Sequence, residues 1–464
     1  MWQARHHHRA LFVLVWLSAL GAAPLPCPCP PTDRLPQKRT DSLGVASCST
    51  SSCHGGPKGA NHDVQSFAAT IWINDDPHSR AAEVLHEPRS LAMAKMLGIG
   101  APHRSRQCLV CHATQDLKAE PLPSRVLADG VGCAACHGDP TQWESLHTLD
   151  GWRQMSPDER KALGYTDLST PLARVRTWVR CHVGDADHEV NHDLRAAGHP
   201  RLTFEFAAYQ RLEPRHWSPA GKAEATADFT QRSWAVGQAA TLEAVARLLE
   251  VRAARAVEEP VARWPEFAEL DCSSCHRPLG GGGLASRSVI PGALPGTPSW
   301  QPWQVAAGRL LGTQAADAAL VEANVIALRT LLAADWAGAE VEGLHRVCRQ
   351  ADSLATAAGS LSEQLSQAPR INLQGTPAAV ETLVASSPQE WQSWDSAVQT
   401  YLALEAARQG GPARLGSAGC RLPQETEAGP ALNTLRRSLQ LPAGSNTPRD
   451  FDPRRFHSLR SEVP

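Results

Sequence analysis

Aromatic side chains of the usual core-filling kind are scarce in this chain, which has three Tyr and eight Phe in 464 residues. A domain of ordinary make-up would bury more of them, so the chain has few large side chains with which to fill a core, and something else has to fill it. Blocks of basic charge are missing too. The formal net charge is -2 and the Lys and Arg residues are scattered, which removes the electrostatic case for nucleic acid or an anionic membrane surface as partner. After the first 23 residues no stretch is apolar over the roughly 20 residues that cross a bilayer. With 42% hydrophobic and 20% charged residues the chain falls outside the disordered and collagen-like classes, and its length allows two or three domains. What it has in quantity is 35 Pro and 34 Gly, the mark of many loops.

Residues 1–23 have the layout of an export signal. Arg5 and Arg9 make a basic start, Ala10 to Leu20 is apolar, and Gly21, Ala22 and Ala23 supply the small residues of a cleavage site. The alternative is an uncleaved anchor, for which the apolar run is short, and membrane association is expected only in that case. His6, His7 and His8 lie inside the segment, so no metal role is expected of them. A Pro-rich linker follows over 24–40, with Cys27 and Cys29 unassigned. The expected location is periplasmic or otherwise exported.

An exported chain with 13 Cys suggests disulfides, but nine of these cysteines fall in five clusters that end in His. Cys108-Leu-Val-Cys111-His112, Cys133-Ala-Ala-Cys136-His137 and Cys272-Ser-Ser-Cys275-His276 match C-x-x-C-H, the attachment pattern of c-type heme. Two thiols three residues apart can form thioethers to the two vinyl groups of one porphyrin, and the next residue is then placed to ligate the iron. Cys48-Ser-Thr-Ser-Ser-Cys53-His54 has two more residues between its cysteines. Trp178-Val-Arg-Cys181-His182 has Trp where the first Cys belongs, so its heme is held by one thioether, bound only through iron, or absent, with the first preferred. Zinc is the competing reading, but zinc motifs pair one C-x-x-C with another or with a spaced His pair, and do not need His directly after the second Cys. The expected cofactor is heme c, in four or five copies.

A bound iron needs a sixth ligand or stays open. Besides the motif histidines, the stretch from His54 to His276 holds His62, His78, His86, His103, His147, His188, His192, His199 and His216, whereas residues 277–464 hold only His345 and His457. That concentration is what bis-His ligation requires. Met93 and Met96 are the other candidates, but they sit in an apolar helical stretch, Leu91 to Leu97, where core packing is expected.

Several segments resemble the multiheme cytochromes related to cytochrome c-554. They are Ser47 to Gly55 (SCSTSSCHG), Asp76 to Ala81 (DPHSRA), Gly130 to Gly138 (GVGCAACHG), Asn191 to Phe206 (NHDLRAAGHPRLTFEF) and Phe267 to His276 (FAELDCSSCH), and together they span about half of the chain. The resemblance implies distal ligands at His78, His147, His192 and His199, although no quoted segment contains His147. Asp76 and Pro77 suit a helix start that opens on His78. Arg195 and Arg201 flank His199 and are expected either to pair with heme propionates or to lie solvated on the surface, and Trp143 either stacks near a heme edge or packs as an ordinary core Trp. Two departures stand out, Trp178 in the fourth motif and Arg277 after the fifth, where relatives often have a further His. The second could leave one iron five-coordinate.

The remainder reads as helix. Asp228 to Ala256 has apolar residues near a 3.6 period, and further helices are expected at Val305 to Asp335, Ala337 to Gln367, Pro377 to Ala385 and Pro388 to Gln409, the last with Ser387 as cap and Gly410 as stop. Cys348 and Cys420 form a disulfide or stay as buried thiols. The expected fold is mainly α, with a loop-rich multiheme domain over 41–280 whose core is heme, a Gly/Pro linker over 281–300, and a C-terminal helical bundle over 301–464. The expected function is electron transfer between other redox proteins as donor and acceptor, with no catalytic residue assigned. The alternative is an oxidoreductase with one open-site heme acting on a small nitrogen or sulfur compound.

Overall fold

The structure, a computed structural model, describes residues 44–58, 63–114, 129–218, 226–259, 264–272, 275–276, 298, 300, 303, 317–335, 340–371, 394–408, 429–440, 455–456 and 458–459. The expected signal segment and linker, the helix expected from Pro377 to Ala385, the Ser387 cap, and Cys27, Cys29, Arg277 and Cys420 lie outside these residues.

The chain is mainly helical, and among the described residues the only β pairing is one isolated bridge, Leu270 with Trp300. Its first part is a string of short helices: α1 (Val45–Cys48), α2 (Ala68–Asp75), α3 (Pro88–Leu97), α4 (Arg106–His112), α5 (Cys133–His137), α6 (Asp150–Gln154) and α7 (Pro157–Ala162). Proline and glycine keep them short. Pro88 opens α3 where its missing N–H costs nothing, and Gly98 ends it in the left-handed conformation at φ 69°. Ser156 and Glu159 close a reciprocal capping box at the start of α7. Met96, expected in a core, is instead 70% exposed on α3.

Further helices follow, most of them longer: α8 (Pro171–His182), α9 (His192–Ala197), α10 (Phe206–Leu212), α11 (Phe229–Glu258), α12 (Ala318–Asp335), α13 (Val341–Gln367), α14 (Trp394–Arg408) and α15 (Gly429–Leu439). α11, α13 and α14 fall on the stretches that the periodicity picked out, and α12 on the second half of its stretch. α13 has a clear apolar face, with Leu344, Val347, Leu354, Leu361 and Leu365 buried at helical spacing.

α11 differs. Every residue from Phe229 to Leu242 is buried, so this half of the helix has no solvent face. Its polar side chains are hydrogen-bonded inside the bundle. Gln238 Nε2 donates to Gln399 Oε1 at 3.1 Å, and Arg232 donates to the carbonyls of Leu365, Ser366 and Ala368 at the end of α13. One hydrophobic cluster therefore runs from Leu172 in α8 through Trp234 and Leu354 to Phe456, across the linker expected over 281–300. Helix α11 is the spine of this bundle. Leu354→Ala in the middle of it is expected to destabilise the protein by about 2–5 kcal/mol, read as a lower denaturation midpoint by far-UV circular dichroism.

Before Leu172 the apolar core is slight. Among the described residues, the only separate cluster there is Leu85, Leu109 and Ala113, with Val84 and Cys108 against it.

Candidate heme sites

The nine motif cysteines lie in this first part and its continuation to Cys275, and none of them is in a disulfide. In α4 and α5 the C-x-x-C-H residues are helical, so both thiols and the imidazole, at i, i+3 and i+4, share one face. α8 repeats this at its last turn, with Trp178, Cys181 and His182 on one face after an N-cap in which Thr170 accepts from Ala173 N. At the first site the helix ends at Cys48, and the two extra residues form a turn that returns His54 N to Cys48 O at 3.2 Å.

Each of the five motif histidines faces one further histidine. Ring centroids are 6.1 Å apart for His54 and His147, 6.4 Å for His112 and His199, 6.4 Å for His137 and His216, 6.0 Å for His182 and His78, and 6.4 Å for His276 and His192. An imidazole nitrogen sits about 2.0–2.1 Å from a first-row metal and about 1 Å from its own ring centre, so two rings ligating one ion from opposite sides have centroids about 6 Å apart. The five pairs fit an iron between them. His86 and His103 do not, since their rings stack at 4.3 Å. His188 is held by Asp185, Nδ1 to Oδ1 at 2.7 Å, and His62 lies outside the described residues.

Hydrogen bonds fix the side of the ring that is offered. Nδ1 donates to Gln65 O in His54 at 2.7 Å, to Asp76 Oδ1 in His78 at 2.9 Å, to Ala81 O in His112 at 2.8 Å and to Pro200 O in His199 at 2.7 Å. His216 does the same with Pro214 O at 3.3 Å, and His147 with Glu144 O. A carbonyl or carboxylate oxygen only accepts, so Nδ1 carries the proton and Nε2 keeps a lone pair for a metal. Burial pushes His137 and His182 down to about 4, which keeps both rings neutral at ordinary pH.

Turns bring these residues together. Asp76 caps the short 3-10 turn Pro77–Arg80 by accepting from His78 N at 2.9 Å, and the same oxygen holds the His78 ring. Gly130, at φ 61°, lets the chain before Cys133 press on this turn, where a Cβ would lie 2.6 Å from His78 O. Gly198, at φ 118°, ends α9 and turns the chain into His199.

Numbered by motif, the residue sets adjoin in the order 1, 3, 4, 2, 5. The thiols of Cys48 and Cys133 adjoin, as do those of Cys181 and Cys111, and in each pair one thiol is held below the usual range and its neighbour above it. Val131 N donates to His78 O at 3.0 Å, which joins the third set to the fourth. Arg201 Nη1 lies 3.7 Å from Cys272 Sγ, two residues from His199, which joins the second to the fifth.

Buried donors without partners lie beside these sets. Trp143 Nε1 is one, on an indole that meets His147 edge-on at 5.5 Å, and Arg195 Nε is another. Arg195 lines a cleft with Arg201, Arg252, Leu248 and Asp395 near Cys272. A buried unpartnered donor is costly, and a porphyrin carboxylate would satisfy one. Of the two arginines expected near propionates, Arg201 is already paired with the buried Asp395, and Arg195 is the one with donor capacity left. Glu213 was not singled out by the sequence. Burial raises it to about 7, and its Oε2 has no partner. His216 was only one of nine spare histidines there, and its signal, Pro214 two residues before it, is weak.

These features fit the heme sites of c-type cytochromes, which carry electrons. Residues 47–138 match the family model of cytochrome c554 and c-prime, about a fifth of the chain, and that segment is similar to those cytochromes. The match takes in the first three motifs and His78, and ends before Cys181. No curated protein and no solved structure matches the chain.

Proposed function

We propose that the chain is an exported multiheme carrier that holds five hemes c, one between each histidine pair, and exchanges electrons with other redox proteins. Attachment falls to Cys48 and Cys53, Cys108 and Cys111, Cys133 and Cys136, Cys181, and Cys272 and Cys275. The motif ligands are His54, His112, His137, His182 and His276, and the opposing ligands are His147, His199, His216, His78 and His192. The observation that carries the reading is the 6.0–6.4 Å separation of all five pairs.

Heme held by these residues would supply one-electron exchange, at the low potential usual for bis-His ligation. The protein's part is to hold and orient. Asp76 and the carbonyls of Gln65, Ala81, Glu144, Pro200 and Pro214 keep the imidazoles turned so that Nε2 faces inward. The contact order of the five sets favours exchange from one end of the series to the other. An oxidoreductase would need one motif histidine without an opposing ring, and the pairing of His276 with His192 speaks against an open fifth site despite Arg277.

Export is supported by the signal-like start and by the chemistry of c-type heme, which is attached outside the cytoplasm. It is also supported by Cys348, which is disulfide-bonded, a state typical of oxidising compartments. Among the described residues no helix is long and apolar enough to cross a membrane. The test is a pyridine hemochrome and iron count on purified holoprotein, with low-temperature EPR of the oxidised form. The expected result is five hemes per chain, all low-spin. A high-spin signal from one heme would favour the oxidoreductase, and zinc without a Soret band would overturn both.

A further inference from the structure

The fourth site pairs its histidines as closely as the complete sites do, yet only one of its cysteines exists. His182 and His78 are 6.0 Å apart, and Cys181 precedes His182 at the end of α8. The place of the first cysteine, one turn back on the same helical face, is taken by Trp178. Its indole is fixed by edge-on packing against Phe206 at 5.3 Å and Phe204 at 6.4 Å, on the margin of the main core. His182 itself packs on Phe204 at 5.4 Å and Tyr209 at 5.2 Å, so the aromatic wall continues around the site. The thiol of Cys111 also adjoins Cys181, but it belongs to the complete motif of His112.

We infer that the heme between His182 and His78 is held through a single thioether, to Cys181, and keeps its second vinyl group intact on the Trp178 side. The inference rests on the five-site reading above. The bond forms by addition: Cys181 Sγ bonds to the vinyl carbon next to the porphyrin ring and the thiol proton goes to the terminal carbon. No electrons enter or leave and nothing departs. The other vinyl has no thiol within its own motif and stays conjugated with the porphyrin. The aromatic wall of Trp178, Phe204 and Phe206 gives that apolar group an apolar surface to lie on, where a cysteine would have consumed it.

The experiment uses mature holoprotein. After acid-acetone extraction all five hemes stay with the protein, and the proteolytic fragment containing Cys181 carries one heme by mass. In the alkaline pyridine hemochrome, four fifths of the α band lies at the position of a two-thioether standard, and one fifth is shifted to longer wavelength by the remaining vinyl. Trp178→Cys, which completes the motif, brings the shifted fifth into the main band without changing the heme count. Extraction of one heme, with Cys181 open to alkylation, would overturn the single thioether and leave the five sites standing, as would five retained hemes with an unshifted band. Four hemes in the native protein with a free Cys181 would overturn the five-site reading, and this inference with it.

Discussion

Expressed in full length in a host that cannot attach heme, the protein is expected to be cut rapidly by protease throughout residues 44–168, while the bundle built on α11 and α13 resists. Ordering a residue's backbone costs roughly 1–2 kcal/mol, and burying a Leu or Val side chain returns about 1.5–3 kcal/mol. Before Leu172 the clustered apolar core among the described residues is Leu85, Leu109 and Ala113. Other buried apolar residues there, such as Val45, Ile71 and Trp143, join neither cluster. That is far too little for more than a hundred residues, so porphyrin faces have to supply the missing apolar contact. From Leu172 onward the chain has its own core, with Trp234, Val347 and Leu354 fully buried. Limited proteolysis with mass spectrometry of the fragments checks this. Equal resistance of residues 44–168 and the bundle in heme-free protein would show that the first part folds on its own side chains.

The same contrast explains what could be read from the sequence. The motif clusters are local, so their spacing alone reveals them, and α5 or the last turn of α8 merely puts that spacing on one helical face. The stretches that became α11 and α13 were legible for the same reason. The pairing of histidines was not, because opposing rings such as His112 and His199 are brought together by turns and by contacts between α3 and α9, not by any local pattern. Resemblance pointed to His78, His147, His192 and His199, and the structure sets each of these opposite a motif histidine; it gave no sign of His216. Periodicity also could not show that α11 is buried on all sides over its first half. A helix with polar residues such as Gln231, Arg232 and Gln238 reads as half-exposed until α13 and α14 are seen to accept their hydrogen bonds.

His216 is therefore the position at which the pairing is most sharply exposed to test. Its ring lies 6.4 Å from that of His137, and Pro214 O fixes Nδ1 so that Nε2 is free to ligate. On the five-heme reading proposed above, His216→Gly removes the opposing ligand and touches no attachment residue, so the heme count is expected to stay at five while one iron loses its sixth ligand. In the oxidised protein a high-spin EPR signal is expected from one heme in five. In the reduced protein carbon monoxide, which the parent is expected not to bind, is expected to bind at one equivalent per chain. Loss of a nitrogen ligand from one face also changes that iron's potential, so one of the five titrating steps should move and the other four stay. His103→Gly is the matched control. His103 is a spare histidine whose only ring partner among the described residues, His86, lies 4.3 Å away, too close to share an iron, so all the hemes should remain low-spin and closed to carbon monoxide. If His216→Gly is spectrally silent and His103→Gly opens a heme, then ring-to-ring distance is the wrong guide to ligation in this protein, and the other four pairs lose their support with it.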